Sequence, residues 1–205
     1  MTRDEIILAA MSPANGAAHS PVQVQKLLFL IDQEIPDLVG GPHFDFQPYD
    51  YGPFDKTVYE VLTVCMEEGF VEIDYRKPWR TYRLTPAEQS RGAALLDKLT
   101  PKAKEYVIRV SQFVRALSFS QLVTAIYAAY PEMRKNSVFN VTSERIAKTL
   151  VGEYLRLIKE HPTDPNTVYY RLVRFAQNAY DTDRSFWAAN GIISHYFQLC
   201  DIFEH

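Results

Sequence analysis

Residues 44–84, FDFQPYDYGPFDKTVYEVLTVCMEEGFVEIDYRKPWRTYRL, decide the fold. An aromatic extended piece carrying Phe44, Phe46 and Tyr49 runs into Tyr51-Gly52-Pro53-Phe54. Gly52-Pro53 reads as a sharp turn into a helix, with Pro53 preset for the first helical turn and Asp55 near the positive end of the dipole. Phe54, Val58, Val61, Leu62 and Cys65 then form one buried helical face, and Gly69 is placed to cap it. Val71, Ile73 and Tyr75 alternate with Glu72, Asp74 and Arg76, the pattern of a half-buried strand. Lys77-Pro78-Trp79 turns the chain and residues 80–84 return. Helix, glycine, strand, tight basic turn and strand together predict the ending of a winged helix-turn-helix.

Upstream, Thr2 is placed to cap a first helix with Ile6, Ile7, Ala10 and Met11 inward, and residues 12–20 read as a loop. Ser20-Pro21 starts a second helix, Ser as N-cap and Pro at the first helical position. Val24, Leu27, Leu28, Ile31 and Ile35 repeat at helical spacing, and Phe29 and Leu30 widen their face, so this helix is expected at the centre of the core. Residues 36–42, PDLVGGP, break it. Downstream, Thr85-Pro86-Ala87-Glu88 reads as a capping box and Thr100-Pro101 as another helix start. Ala103, Tyr106, Val107, Val110, Phe113, Val114 and Leu117 share one face of the second of these helices. Phe119, Leu122, Val123, Ile126, Tyr127 and Tyr130 share a face of the next, which Pro131 ends. Residues 132–140 read as a polar loop. Further helices are predicted from Thr142, from Val168 and around Phe186 to Cys200. The expected fold is mainly α with a small β-hairpin: a winged-helix module over residues 1–85 and an all-helical part over 86–205 packed on it.

Composition narrows the function. Of 205 residues, 47% are hydrophobic and 23% charged, enough to bury a real core and against global disorder. No apolar run approaches the roughly 20 residues that span a bilayer, and the acidic start MTRDEIILAAMSP is unlike a signal peptide. A cytoplasmic protein without a membrane partner is expected. Cys65 and Cys200 sit in apolar helical patterns and read as reduced core thiols. The net charge of −3 hides an asymmetry: residues 1–99 hold 9 Lys and Arg against 15 Asp and Glu, whereas residues 100–205 hold 13 against 10. An acidic first half disfavours nucleic acid, because phosphate neutralisation supplies most non-specific affinity.

Two stretches resemble a known family. Val24-Gln25-Lys26-Leu27-Leu28-Phe29-Leu30 is similar to the Gln-Lys-Leu helix of Panacea-type domains, seen in antitoxins related to SocA. Tyr49-Asp50-Tyr51-Gly52-Pro53-Phe54 resembles their aromatic-x-x-Gly-Pro segment. Tyr82-Arg83-Leu84-Thr85, and Tyr130-Pro131-Glu132 with Asn136-Ser137, match further segments shared with uncharacterised bacterial proteins of that group. The likeness covers residues 20–85 and, more thinly, 118–140. It implies a small non-enzymatic partner protein that neutralises a toxin or delivers it to a protease. The helices after residue 140 extend beyond a minimal antitoxin domain.

The candidate site residues fall in two sets. Tyr49, Tyr51, Phe54 and Trp79 are the candidates for protein contact, since aromatics at a rigid turn make interface anchors; packing under the wing is the alternative. Arg76, Lys77, Arg80 and Arg83 are the nucleic-acid candidates, because a wing can set bases on phosphates. Against them, the helix that would enter the groove carries Lys56, Glu60, Glu67 and Glu68, with no Arg, Asn or Gln to read base edges. No catalytic signature, metal-ligand spacing or phosphate loop stands out. His19, His43, His161, His195 and His205 are scattered, and Asp181 and Asp183 read as caps. No cofactor is expected. The expectation is a non-catalytic protein-binding module, antitoxin-like, with a toxin-like or other protein partner and a homo-oligomer open; the alternative is a winged-helix DNA-binding transcriptional regulator.

Overall fold

The computed structural model describes residues 1–76, 79–139, 156–157 and 159–161. Lys77 and Pro78, Cys200, the helices expected after residue 141, and Asp181 and Asp183 lie outside the described residues. The described part is mainly helical. Helix α1 (Arg3–Met11), α2 (Pro21–Glu34) and a short α3 (Pro36–Val39) precede a hairpin of β1 (Gln47–Tyr49) and β2 (Gly52–Phe54). Then come α4 (Lys56–Glu67), an antiparallel hairpin of β3 (Val71–Asp74) and β4 (Thr81–Leu84), and helices α5 (Pro86–Asp97), α6 (Pro101–Ala116) and α7 (Phe119–Ala129). No helix among the described residues is long and apolar enough to cross a membrane.

Local chemistry sets most boundaries. Thr2 and Ser20 each close a capping box, with Glu5 and Gln23 returning the bond to the cap backbone. At the end of α4, Phe70 N–H donates to Cys65 O and Gly69 N–H to Met66 O, with Gly69 at φ +76°, the two bonds of a Schellman stop. Thr85 departs from expectation. It precedes α5, but its hydroxyl donates to Gly69 O at 3.1 Å instead of capping the helix. The box is traded for a tie between the two ends of the β3–β4 hairpin.

The larger correction lies at Gly52-Pro53. Pro53 and Phe54 are not in a helix; they form β2, paired to β1 as Gln47↔Phe54, Pro48↔Pro53 and Tyr49↔Gly52. A proline opposite a proline asks for no donor from either strand, so a short edge hairpin tolerates both. Gly52 takes φ +92°, which suits glycine alone, and α4 starts at Lys56 with Asp55 Oδ1 accepting from Thr57 N–H at 2.7 Å. Residues 36–42 also contain a helical turn, and residues 12–20 are more than a loop: a 3-10 turn spans Ser12–Ala14, and His19 pairs with Tyr82 in both directions, at 2.8 and 2.9 Å, along the outer edge of β4.

The core is continuous from Ile6 to Leu157. Helix α2 is central as expected, every residue from Val24 to Asp32 being buried. Helix α1 is equally enclosed, its residues from Ile6 to Met11 being buried on all sides. It packs against α5, where a Cβ on Gly92 would sit 2.6 Å from Leu8 O. The predicted inner face of α6 is buried throughout. On α7 the exception is Phe119, 44% exposed, at the edge of the sequence-predicted face.

Candidate functional site

The β1–β2 hairpin is too short to stand alone. Neighbouring side chains hold its backbone from two sides. From α2, Gln25 Nε2 donates to Asp55 O at 2.9 Å, while Asp55 N–H donates back to Gln25 Oε1 at 3.1 Å. The next residue, Lys26, donates from Nζ to Pro53 O at 2.9 Å. From the segment after α7, Asn136 Nδ2 donates to Pro48 O at 2.9 Å, and Val138 N–H and the Ser137 hydroxyl both donate to Asp50 O. Tyr127 OH donates to Ser137 Oγ at 2.6 Å. Asp55 Oδ2 accepts from Asp45 N–H at 2.7 Å, fixing the approach to β1.

Just upstream, the buried Asp32 carboxylate accepts from the backbone N–H of His43 and of Phe44, at 2.9 Å each, and lies 3.0 Å from His43 Nδ1. His43 Nε2 faces Met1 O at 3.1 Å, so both ring nitrogens are engaged. This Asp–His pair ties the loop before β1 to α2 and to the start of the chain.

With its backbone anchored, the hairpin turns its rings outward. Tyr49 is 52% exposed and Tyr51 44%. Tyr49 stacks on Phe54 at 4.9 Å, Phe54 contacts Tyr59 of α4 at 5.8 Å, and Tyr59 stacks on Tyr82 at 6.1 Å. Arg80 covers the Tyr59 ring at 5.8 Å. Tyr51 leans the other way, edge-on to Phe119 at 5.1 Å, and Phe119 contacts Phe139 at 5.7 Å. Of the four protein-contact candidates, Tyr49 and Phe54 are joined directly. Tyr51 stands beside them on the same hairpin, and Trp79 is exposed on the other hairpin.

The basic candidates are placed differently. Arg76 holds Asp74 with two nitrogens at 2.9 and 2.8 Å, and Arg83 donates to Glu72 at 2.8 Å. Two of the four therefore carry their own acids, Arg80 lies on Tyr59, and Lys77 is outside the described residues. On the exposed side of α4, Lys56 pairs with Glu60 at 3.5 Å, leaving Thr63, Val64, Glu67 and Glu68 as the rest of that face. The groove beside β3 and β4 is open and lined by these same pairs, with Thr81 and Thr85.

Burial shifts the proton affinity of several groups, three of which bear on the chemistry open to the chain. Burial, with Asp4 and Glu68 nearby, pushes the Cys65 thiol up to about 11, away from thiolate chemistry. Burial, reinforced by Arg115, pulls His19 down to about 4; neither of its ring nitrogens has a hydrogen-bond partner. Burial alone pulls Lys26 down to about 7. Among the described residues no cluster of His, Cys, Asp or Glu could hold a metal ion.

Sequence reasoning singled out the aromatics but not their supports. Gln25, Lys26, Asn136 and Ser137 were legible only as fragments of the resemblance, and their spacing gives no sign that all four meet one hairpin. No protein-family model matches the chain, and no curated protein matches it.

Proposed function

We propose that the protein is a non-catalytic protein-binding module, antitoxin-like in the Panacea manner, that docks a partner through Tyr49 and Tyr51. One observation carries this: a surface hairpin whose backbone is held by buried or anchored side chains on two sides, while its tyrosines face solvent. Rings fixed in advance lose little conformational freedom on binding, and tyrosine is among the residues that dominate interface hot spots. The order of elements supports a winged helix: α1, the His19 bridge to β4, α2, then α4 followed by the β3–β4 hairpin. A DNA-binding regulator is the weaker assignment, since Arg76 and Arg83 are neutralised internally and the outer face of α4 is acidic.

The test is affinity capture from the native host with wild type and with Tyr49→Ala/Tyr51→Ala, folding being checked by circular dichroism. A protein retained by wild type and lost from the folded variant supports docking, and a toxic partner when expressed alone supports the antitoxin role. Identical captured sets remove the assignment. Duplex DNA retained at low salt, and released by Arg76→Ala/Lys77→Ala/Arg80→Ala, replaces it with the regulator.

A further inference from the structure

Lys26 is 3% exposed and, among the described residues, donates to a single acceptor, Pro53 O. Around it stand uncharged or distant groups. From β2 come Gly52 and Pro53. From α7 come Ile126 and the Tyr127 ring, both close to the Gly52 position that Lys26 Nζ also approaches. The Tyr127 hydroxyl is taken up by Ser137, and Asp50 and Arg134 act on that tyrosine rather than on Lys26. On α2, Gln25 is occupied by Asp55, whose carboxylate turns to Thr57 and Asp45. Among the described residues no carboxylate pairs with Lys26.

A neutral amine in this place leaves one N–H and a lone pair without partners but no charge, a modest cost. An ammonium carries three N–H groups and a full charge, with one acceptor to receive them, and a buried unpaired charge is strongly disfavoured. We propose that Lys26 is a proton-operated latch on the hairpin: neutral, it holds Pro53 and keeps Tyr49 and Tyr51 fixed; protonated, it releases them. The latch gives the docking hairpin proposed above a form of regulation. It rests on that assignment only for its biological meaning, because hairpin opening is measurable with no partner present. The shift of Lys26 to about 7 puts the change near neutrality, where modest acidification acts on it.

The experiment is hydrogen–deuterium exchange on the free protein, following amides of residues 47–55 and correcting for the chemical exchange rate. Between about pH 8.5 and about pH 6, the hairpin opening equilibrium of wild type is expected to rise on the order of 10- to 30-fold, since the released lysine regains its ordinary proton affinity. In Lys26→Met the ratio between the two pH values is expected to fall to about one. An unchanged ratio in wild type, or the same rise in Lys26→Met, overturns the latch. If Lys26→Met does not fold, the Lys26 ε-carbon NMR titration of wild type decides: a midpoint near neutrality supports the latch, and one at the ordinary lysine value overturns it. Failure here with Tyr49- and Tyr51-dependent capture intact removes the latch and leaves docking standing. The converse pattern removes docking and leaves the latch.

Discussion

Replacing Gln25 by Leu isolates the most specific contact on the hairpin. Gln25 is 2% exposed and Asp55 8%, so water does not readily take over for either. The substitution leaves the Asp55 N–H without its partner at 3.1 Å and takes the 2.9 Å bond from Asp55 O, which keeps only the Val58 N–H at 3.3 Å. The unsatisfied N–H costs about 1–3 kcal/mol and the lost carbonyl bond about 0.5–1.5 kcal/mol, and the added apolar side chain recovers about 1 kcal/mol. The net loss expected is roughly 1–3 kcal/mol, a substantial fraction of a stability of about 5–15 kcal/mol. Urea unfolding followed by circular dichroism measures it as a lower midpoint at unchanged slope. Gln25→Glu sharpens the result. A carboxylate can still accept from Asp55 N–H but cannot donate to Asp55 O, and it places a charge in the core. Its deficit should exceed that of Leu near neutral pH and shrink as acid protonates the carboxyl and restores a donor. A loss under about 1 kcal/mol for Leu, or a Glu variant indifferent to pH, would refute the two-point hold.

Gly92→Ala should destabilise by about 2 kcal/mol or more, because its Cβ would meet backbone at Leu8 O and α1 and α5 would have to separate; thermal unfolding reads this directly, and an unchanged or raised midpoint contradicts the close crossing. His19 has a folded-state value of about 4 against 6.5 in the open chain, so the folded state binds fewer protons between them. The corresponding stability is complete above the unfolded value and is lost as pH falls through the folded one, by roughly 3 kcal/mol. His19→Leu should unfold with a shallower acid dependence over that window than wild type; parallel curves would place the imidazole in contact with water.

The helical framework was readable because its signals are local. Ser20-Pro21, the α6 face and Gly69 each act within a few residues, and each does in the structure what its chemistry suggests. Gly52-Pro53 was misread because a proline suits both a first helical turn and an edge strand. The outcome was set by partners far along the chain, Lys26 on Pro53 and Asn136 on Pro48. Thr85 shows the same competition, its hydroxyl drawn off by Gly69 O. The site aromatics were visible as residue types. That Tyr49 and Tyr51 face outward, and that Arg83 is already paired with Glu72, depends on cross-strand register that no short window contains, whereas Arg76 turns back on Asp74 two residues away. Gly92 carries no signal in its own helix, and only the approach of α1 gives it a purpose.

The Asn136 bond to Pro48 O spans 88 residues of chain, and this separation has a consequence for synthesis. The hairpin, α2 and its Gln25–Lys26 pair leave the ribosome early, whereas the second half of the support emerges only with residues 136–138. At about 5–20 residues per second the delay is on the order of 5–20 s. Through that interval the nascent chain carries both tyrosines on a half-supported hairpin, and under the docking proposal competence to recognise a partner arrives late and nearly all at once. A fragment ending before Asn136 would contain Tyr49 and Tyr51 and lack half of the hairpin's support.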